Sequence, residues 1–382
     1  MDIIKAFHYL LSVICMASNE HTVTTAGGKR RGRLPRIEVV DLFCGIGGLS
    51  YGMKSHGLHI LEGFDLDGTC KYAYETNTGA SFVYKDIREV TGKEIRSKYK
   101  KGAIKVLAGC APCQPFSSYA FKNKNKDPNK YDLLYEFGRL VKEVQPDVVT
   151  MENVPAISSF GLKDVLGDFV RTLQSEGFSV KYQVVFCPDY GVPQTRKRLV
   201  LLASRFGKIE LQKPSHKKGE YETVRRTIGT LPELRAGEAS ETDALHRCAA
   251  LGELNMRRMQ ATPYGGGWKD WPEELLLECH KKEGGKSFGS VYGRMVWDEP
   301  SPTITTQCTG IGNGRFGHPE QDRAISIREA ALLQTFPMDY KFFPNEGEVS
   351  ITQASRYIGN AVPPRLGEVI ADSIKEHIRT HK

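Results

Sequence analysis

The stretch GCAPCQP places two thiols three positions apart, Cys110 and Cys113, with Pro112 and Gln114 framing the second. A CxxC pair can close a redox disulfide, form part of a metal site, or present one sulfur as a nucleophile, and each use demands different partners. Neither a second CxxC nor an HxxxH follows at finger spacing, so no metal site is expected. A thiol near a helix start or a positive group has its pKa lowered towards a useful thiolate, and an acid beside it becomes a candidate proton donor. Glu152, in ENV, offers a carboxyl that can donate a proton, while QTRKR offers Arg196 and Arg198. Two guanidiniums two apart in an extended segment point the same way and can together bind a carbonyl, a carboxylate or a phosphate. Taken singly, each has a plainer reading: Cys110 as a packed strand end, Glu152 as a cap or solvated acid, the arginines as surface charge.

The elements around these residues place the thiols and the acid on one edge, while QTRKR precedes a further strand. IKVLAGC (Ile104 to Cys110), DVVTM before Glu152, and RLVLLAS (Arg198 to Ser204) read as buried strands. In open α/β sheets, ligands bind at the carboxyl ends of strands, where Cys113 and Glu152 then fall. A further strand, Ile37 to Phe43, runs into the glycines Gly45, Gly47 and Gly48 and a helix. His59 to Asp67 reads as the next strand, and Asp65 lies 20 residues after Gly45. That layout resembles a dinucleotide fingerprint, but Leu49 and Ser50 interrupt GxGxxG, and a mononucleoside-like cofactor without pyrophosphate, such as S-adenosylmethionine, fits as well. Leu133, Leu134, Phe137, Leu140, Val141 and Val144 form a core-facing helical stripe, and Ser326 with Glu329 predicts a capping box. Pro364 suits a first helical turn, followed by a stripe from Leu366 to Ile378.

The chain has 382 residues, 40% of them hydrophobic, and a formal charge of +8, which leans towards a polyanionic partner. No apolar run approaches the roughly 18 residues needed to cross a bilayer, so no membrane role is expected. Nine scattered cysteines suit a reducing compartment better than a disulfide scaffold. Tyr9 to Ala17 resembles a weak signal-peptide core, and initiation at Met16 would remove it; Lys29 to Arg36 is a basic arm. Four segments are expected: a flexible basic extension over 1–36, a catalytic part over 37–204, a smaller irregular domain over 205–322, and a return to the first over 323–382.

Taken in order, DLFCGIGG, GCAPCQP, ENV, QTRKR, REAALLQTFP and QASRYIGNAVPP closely resemble the signature blocks of DNA cytosine-5 methyltransferases of the compact bacterial or phage type. The resemblance implies an α/β fold with a doubly wound, Rossmann-like, mostly parallel sheet, carrying a smaller target-recognition domain. It also implies methylation of C5 of a cytosine in duplex DNA with S-adenosylmethionine as cofactor. By family position Cys113 is the nucleophile, Glu152 meets N3 and the amino group, and Arg198 meets O2 with Arg196 in support. Gln114, Ser117 and Gln194 are implied at the substrate. Phe43, Gly45, Ile46, Gly48, Asp65, Leu66, Asp86, Ile87, Pro112, Asn360 and Val362 are implied at the cofactor; some members carry an aromatic where this chain has Leu66. A thiol cannot reach C6 inside a duplex, so the target base must be flipped out, and the lysine-rich stretch after Cys113 is expected to close over it. In the insert, Tyr264, Gly265 to Trp268, Phe288, Tyr292, Arg294 and Arg315 suit groove contacts. A monomer in the cytoplasm, associated with the nucleoid, with a cognate restriction endonuclease as functional partner, completes the expectation. The alternatives are a relative methylating tRNA, a catalytically dead DNA-binding module, and a nicotinamide oxidoreductase.

Overall fold

The computed structural model describes residues 35–112, 132–158, 164–282, 288–345, 347 and 349–382. Continuous apolar runs become the centre of a seven-stranded sheet: β1 (Ile37–Leu42), β2 (His59–Asp65), β3 (Ser81–Tyr84), β4 (Ile104–Gly109), β5 (Val148–Asn153), β6 (Ser179–Phe186) and β7 (Lys197–Ser204). β1 and β5 are buried along their whole length, as strands covered on both faces must be. The order is β3-β2-β1-β4-β5-β7-β6, so the winding reverses direction between β1 and β4 and opens a crevice at their carboxyl ends. β1 pairs with β2 and β4, β2 with β3, and β4 with β5, all in parallel. β7 is antiparallel to both neighbours. Where parallel strands need a long crossover, β6 and β7 are joined by a short link through the 3-10 turn Cys187–Tyr190.

One face of the sheet packs on α3 (Asp132–Val144) and α4 (Val165–Ser175), which follow α1 (Gly48–Ser55) and α2 (Lys71–Thr78) in the chain. The predicted stripe of α3 is the reason: Leu134, Phe137, Leu140, Val141 and Val144 are buried there against Leu107, Val149, Met151, Leu199 and Leu201. After the insert come α5 (Ile327–Leu333), α6 (Ile351–Asn360) and α7 (Pro364–His381). Ser326 and Glu329 form the expected capping box on α5. α7 covers the opposite face of β7, where His377 Nε2 meets Ser204 Oγ at 2.7 Å. It also lies against α1 so closely that a side chain at Gly52 would run into the Pro364 carbonyl. That contact brings the last helix back to the first.

Between residues 205 and 322 regular structure is short: Val224–Ile228, Glu253–Gln260, Glu278–Lys281 and single 3-10 turns. Val224, Ile228, Leu245, Met295, Trp297, Ile304 and Phe316 share one buried cluster with α5 and α6, and Trp268, Trp271 and Leu275 form a small separate one. Arg294 holds the loops together from inside, donating to the carbonyls of Thr262 (2.8 Å), Met259 (2.7 Å), Gln321 (2.7 Å) and His318 (3.2 Å).

Candidate active site

Strand register brings the reactive types together. In the parallel pairing of β4 with β5, Gly109 stands opposite Met151, so the next residue, Cys110, leaves the sheet beside Glu152. Its thiol donates to Glu152 Oε2 at 2.8 Å. In the antiparallel pairing of β5 with β7, Glu152 stands opposite Val200, and Arg198 is the diagonal neighbour on the same face. Arg198 Nε lies 2.7 Å from Glu152 Oε1, with side chains 13% and 3% exposed. The N–H is not aimed at that oxygen, so the contact is an ion pair and Oε1 lacks an aligned donor. A buried carboxylate is stable only when paired; this one is paired loosely enough to turn towards a ring edge.

Arg196 sits behind this pair. It is buried, donates Nη1 to the Ile304 carbonyl at 3.0 Å, and has no partner for Nε. Burial, then repulsion by Arg198, lowers its pKa to about 9, with Glu152 opposing, and it stays cationic at neutral pH. Cys187 is buried nearby; burial pushes its thiol up to about 11 against the pull of Arg196 and Arg198, so it is a protonated packing group.

The glycine turn forms the other half of the crevice. Asp65, at the end of β2, accepts from Gly45 N through Oδ2 and from Asp67 N through Oδ1, each at 2.8 Å. Burial raises its pKa and these N–H groups hold it back. Each oxygen keeps a lone pair for another donor, such as a ribose hydroxyl. A side chain at Gly45 would meet nothing within 4 Å, so the turn is open there, and Leu66 beside it is 58% exposed. The Val362 carbonyl would collide with any side chain at Gly48, which sets the 360–363 loop directly on the turn. A carboxylate, an open turn and an exposed apolar side chain suit a nucleoside with a small polar tail.

The chain matches the C-5 cytosine-specific DNA methylase family over residues 37–376. It belongs to that family. It is 52% identical over 340 residues to the Type II methylase M.HgiDII of Herpetosiphon aurantiacus, covering 89% of this chain and 95% of that one. With the Type II methyltransferase M1.HphI of Haemophilus parahaemolyticus it shares 30% over 347 residues, 88% of this chain and 86% of the other. Among solved structures, the Entamoeba histolytica methyltransferase EhMeth superposes with a TM-score of 0.62 at 16% identity, over 89% of this chain and 98% of that one. A protein encoded within an Escherichia coli prophage gives 0.67 at 21%, over 89% and 99%; these two likenesses concern the fold. The enzyme is a DNA cytosine-5 methyltransferase, and the tRNA reading is not favoured.

Several residues expected at ligands of this methylase face elsewhere. Gln194, expected at the substrate, is wholly buried: its amide donates to the Leu333 carbonyl (2.9 Å) and Gln334 Oε1 (2.6 Å) and accepts from Ile304 N (3.1 Å). That leaves nothing for a base, and makes Gln194 a tie. Gln334 in turn donates to the Ala361 carbonyl at 2.6 Å, so the tie reaches the cofactor-side loop. Ile87 packs in the core with α3, and Ile46 is buried with its carbonyl accepting from Tyr340. Asp86 is held by Arg88, whose hydrogen bonds keep its carboxyl below the usual range. Asn360 and Pro112 are exposed, and Phe43 takes the left-handed conformation, φ 60°, at the mouth of the turn. In the insert, Arg294 and Trp268 are buried, and Arg315 Nη1 donates to the carbonyls of Gly265, Gly266 and Arg294; Tyr264 and Phe288 are the exposed members of the expected groove set. The basic extension to residue 34, Cys113, Gln114, Ser117 and the lysine-rich stretch lie outside the described residues. Asp41 was not singled out by sequence: it is buried at the end of β1, bonded by Ser50 Oγ at 2.6 Å, and pushed up by burial to about 7. Its signal was an acid inside an otherwise apolar run.

Proposed function

We propose that the protein methylates C5 of one cytosine within a specific duplex DNA sequence, with Cys113 as nucleophile and S-adenosylmethionine as methyl donor. The observation that carries the site assignment is the buried, loosely held Glu152–Arg198 pair, bonded by Cys110, which stands one residue beyond the strand that leads into PCQ. C5 of cytosine is a weak nucleophile. Addition of the Cys113 thiolate to C6 moves electron density onto C5, and the carboxyl of Glu152 at N3 with the guanidinium of Arg198 at O2 stabilises the charge that develops on the ring. S-adenosylmethionine, when bound, supplies an electrophilic methyl group to C5. Loss of the C5 proton then expels the thiolate and restores aromaticity. Asp65 holds the ribose of the cofactor, Gly45 leaves it room, Gly48 lets the 360–363 loop seat on the turn, and Leu66 lies against the adenine. Asn360 and Val362 close the pocket from the far end of the chain, while Asp86 stays with Arg88. Arg196 supports Arg198 from behind; Gln194 braces the loops and does not touch the base.

Residues 205–322 act as the target-recognition part, with 37–204 and 323–382 forming the catalytic part. Their short loops, braced from inside by Arg294 and Arg315, suit the presentation of side chains to a groove. The Type II relatives favour a place in a restriction-modification system, with a monomer in the cytoplasm and a cognate endonuclease as functional partner. Bisulfite mapping of DNA from cells expressing the wild-type chain reports activity and target sequence together. Cys113→Ala is expected to abolish methylation there; retained methylation in that variant rejects the nucleophile.

A further inference from the structure

We propose that Cys110 is a positioning residue for methyl transfer: its thiol holds Glu152 open for the base and keeps the Glu152–Arg198 pair from closing on itself. The proposal rests on the methyl-transfer reading above. Three observations carry it. The Cys110 thiol donates to Glu152 Oε2 at 2.8 Å, while Arg198 stands 2.7 Å from the other oxygen, so the carboxylate is pulled from both ends. The Arg198 N–H is misaligned with Oε1, whereas an unrestrained Arg–carboxylate pair settles into a parallel, two-bond fork. Finally, the backbone fixes where the thiol stands: Cys110 N donates to the Leu42 carbonyl at 3.2 Å and Asn153 Nδ2 to the Ala111 carbonyl at 3.3 Å, tying this segment to the ends of β1 and β5.

The physical logic is one of competition. A fork with Arg198 would occupy both oxygens of Glu152 and aim them at the protein. A base that needs N3 and its amino group met would first have to break it. A thiol is a weak donor, strong enough to hold Oε2 aside in the empty site and weak enough to yield it to an entering ring. Cys248 shows the other use of a thiol in this molecule, given to the carbonyls of Arg235 and Glu238 and far from any site residue named here. Cys110 differs because its acceptor is the carboxylate that does the chemistry.

The test compares the full-length wild type with Cys110→Ala, Cys110→Val and Cys110→Ser, measuring methyl incorporation into unmethylated genomic DNA at saturating S-adenosylmethionine. Alanine and valine remove the donor; valine also keeps the volume, so one of the two reports even if the other does not fold. Serine keeps a donor slightly further from Oε2, still within hydrogen-bonding range. The expected result is a fall in kcat of about tenfold in the alanine and valine variants, with KM for DNA within about twofold and most of kcat restored by serine. Full kcat in the alanine variant overturns the proposal. So does a serine variant as slow as alanine, which would mean that the sulfur acts by its bulk. An inactive wild-type chain would remove the methyl-transfer reading itself, and the proposal with it.

Discussion

Among the described residues, Glu152 and Glu329 are both carboxylates buried against guanidiniums, and they are built to opposite ends. Glu329, in the first turn of α5, receives both Nη1 and Nη2 of Arg323 at 2.7 Å, and the Ser326 N–H at 2.6 Å. His318 stands at 3.8 Å, and both charged side chains are essentially unexposed. Burial alone would raise the pKa of Glu329, but the bonds and charge of Arg323 outweigh it and hold the carboxyl below its ordinary value. Glu152 is equally buried, yet it has one misaligned guanidinium and one thiol. The saturated pair fixes a loop to a helix. The unsaturated one keeps an oxygen, Oε1, without an aligned donor.

That contrast can be broken by exchanging function for stability at each pair. The largest effect is expected for Glu152→Gln, which keeps the shape and removes the proton and the charge. Methyl transfer should fall by about 10²–10⁴-fold, read by methyl incorporation, while the urea midpoint moves little. A variant that loses stability in proportion to activity would make Glu152 a second structural pair.

Next is Arg323→Met, which leaves Glu329 charged and alone in the interior. It should cost about 3–5 kcal/mol of unfolding free energy by denaturant titration, enough to lose folded protein outright. Ordinary stability in that variant would show that Ser326 and His318 suffice for the acid.

The smallest effect concerns pH. His318 accepts at Nδ1 from the N–H groups of Glu320 (3.2 Å) and Gln321 (3.0 Å), and burial lowers its pKa to about 4 against the pull of Glu329. A histidine depressed in the folded state binds fewer protons there than in the unfolded chain. Its contribution is therefore complete above the unfolded pKa near 6.5 and is lost as pH falls towards 4. The loss should be on the order of 3 kcal/mol for this one group. His377, also lowered to about 4 by burial, adds a loss of the same sign. Comparing denaturation of the wild type with His318→Gln at pH 7 and pH 5 isolates the first contribution: the variant's smaller pH dependence is expected, and an unchanged one removes His318 as its source.

The central strands β1, β4, β5 and β7 were legible because they are largely apolar runs, and a strand buried on both faces leaves that trace directly in sequence, whereas the edge strands β3 and β6 left a weaker one. The carboxyl ends of the parallel strands carried polar residues of the crevice, so Cys113 and Glu152 could be placed on one edge before any coordinates; Arg198, at the start of β7, reaches that edge only because β7 runs antiparallel. The direction of β7 was less legible, since a short link in place of a helix is a small signal. The insert was least legible. Arg294 and Arg315 look like groove readers among glycines and aromatics, but arginine donates equally well to phosphate, to a base and to a backbone carbonyl. Here the carbonyls of irregular loops, which no ladder satisfies, claim them. Gln194 was misplaced for a related reason: the letter shows an amide, not whether its partners lie inside. Cys110 was read as packing because its partner lies 42 residues away and only the strand register joins them.

The close seat of α7 on α1 ties two distant stretches of sequence into one wall. The loop over residues 360–363 rests on the glycine turn and is anchored by α7, whose own seat requires that Gly52 carry no side chain. Whatever loosens the contact between these two helices therefore reshapes the glycine turn without touching a strand of the sheet.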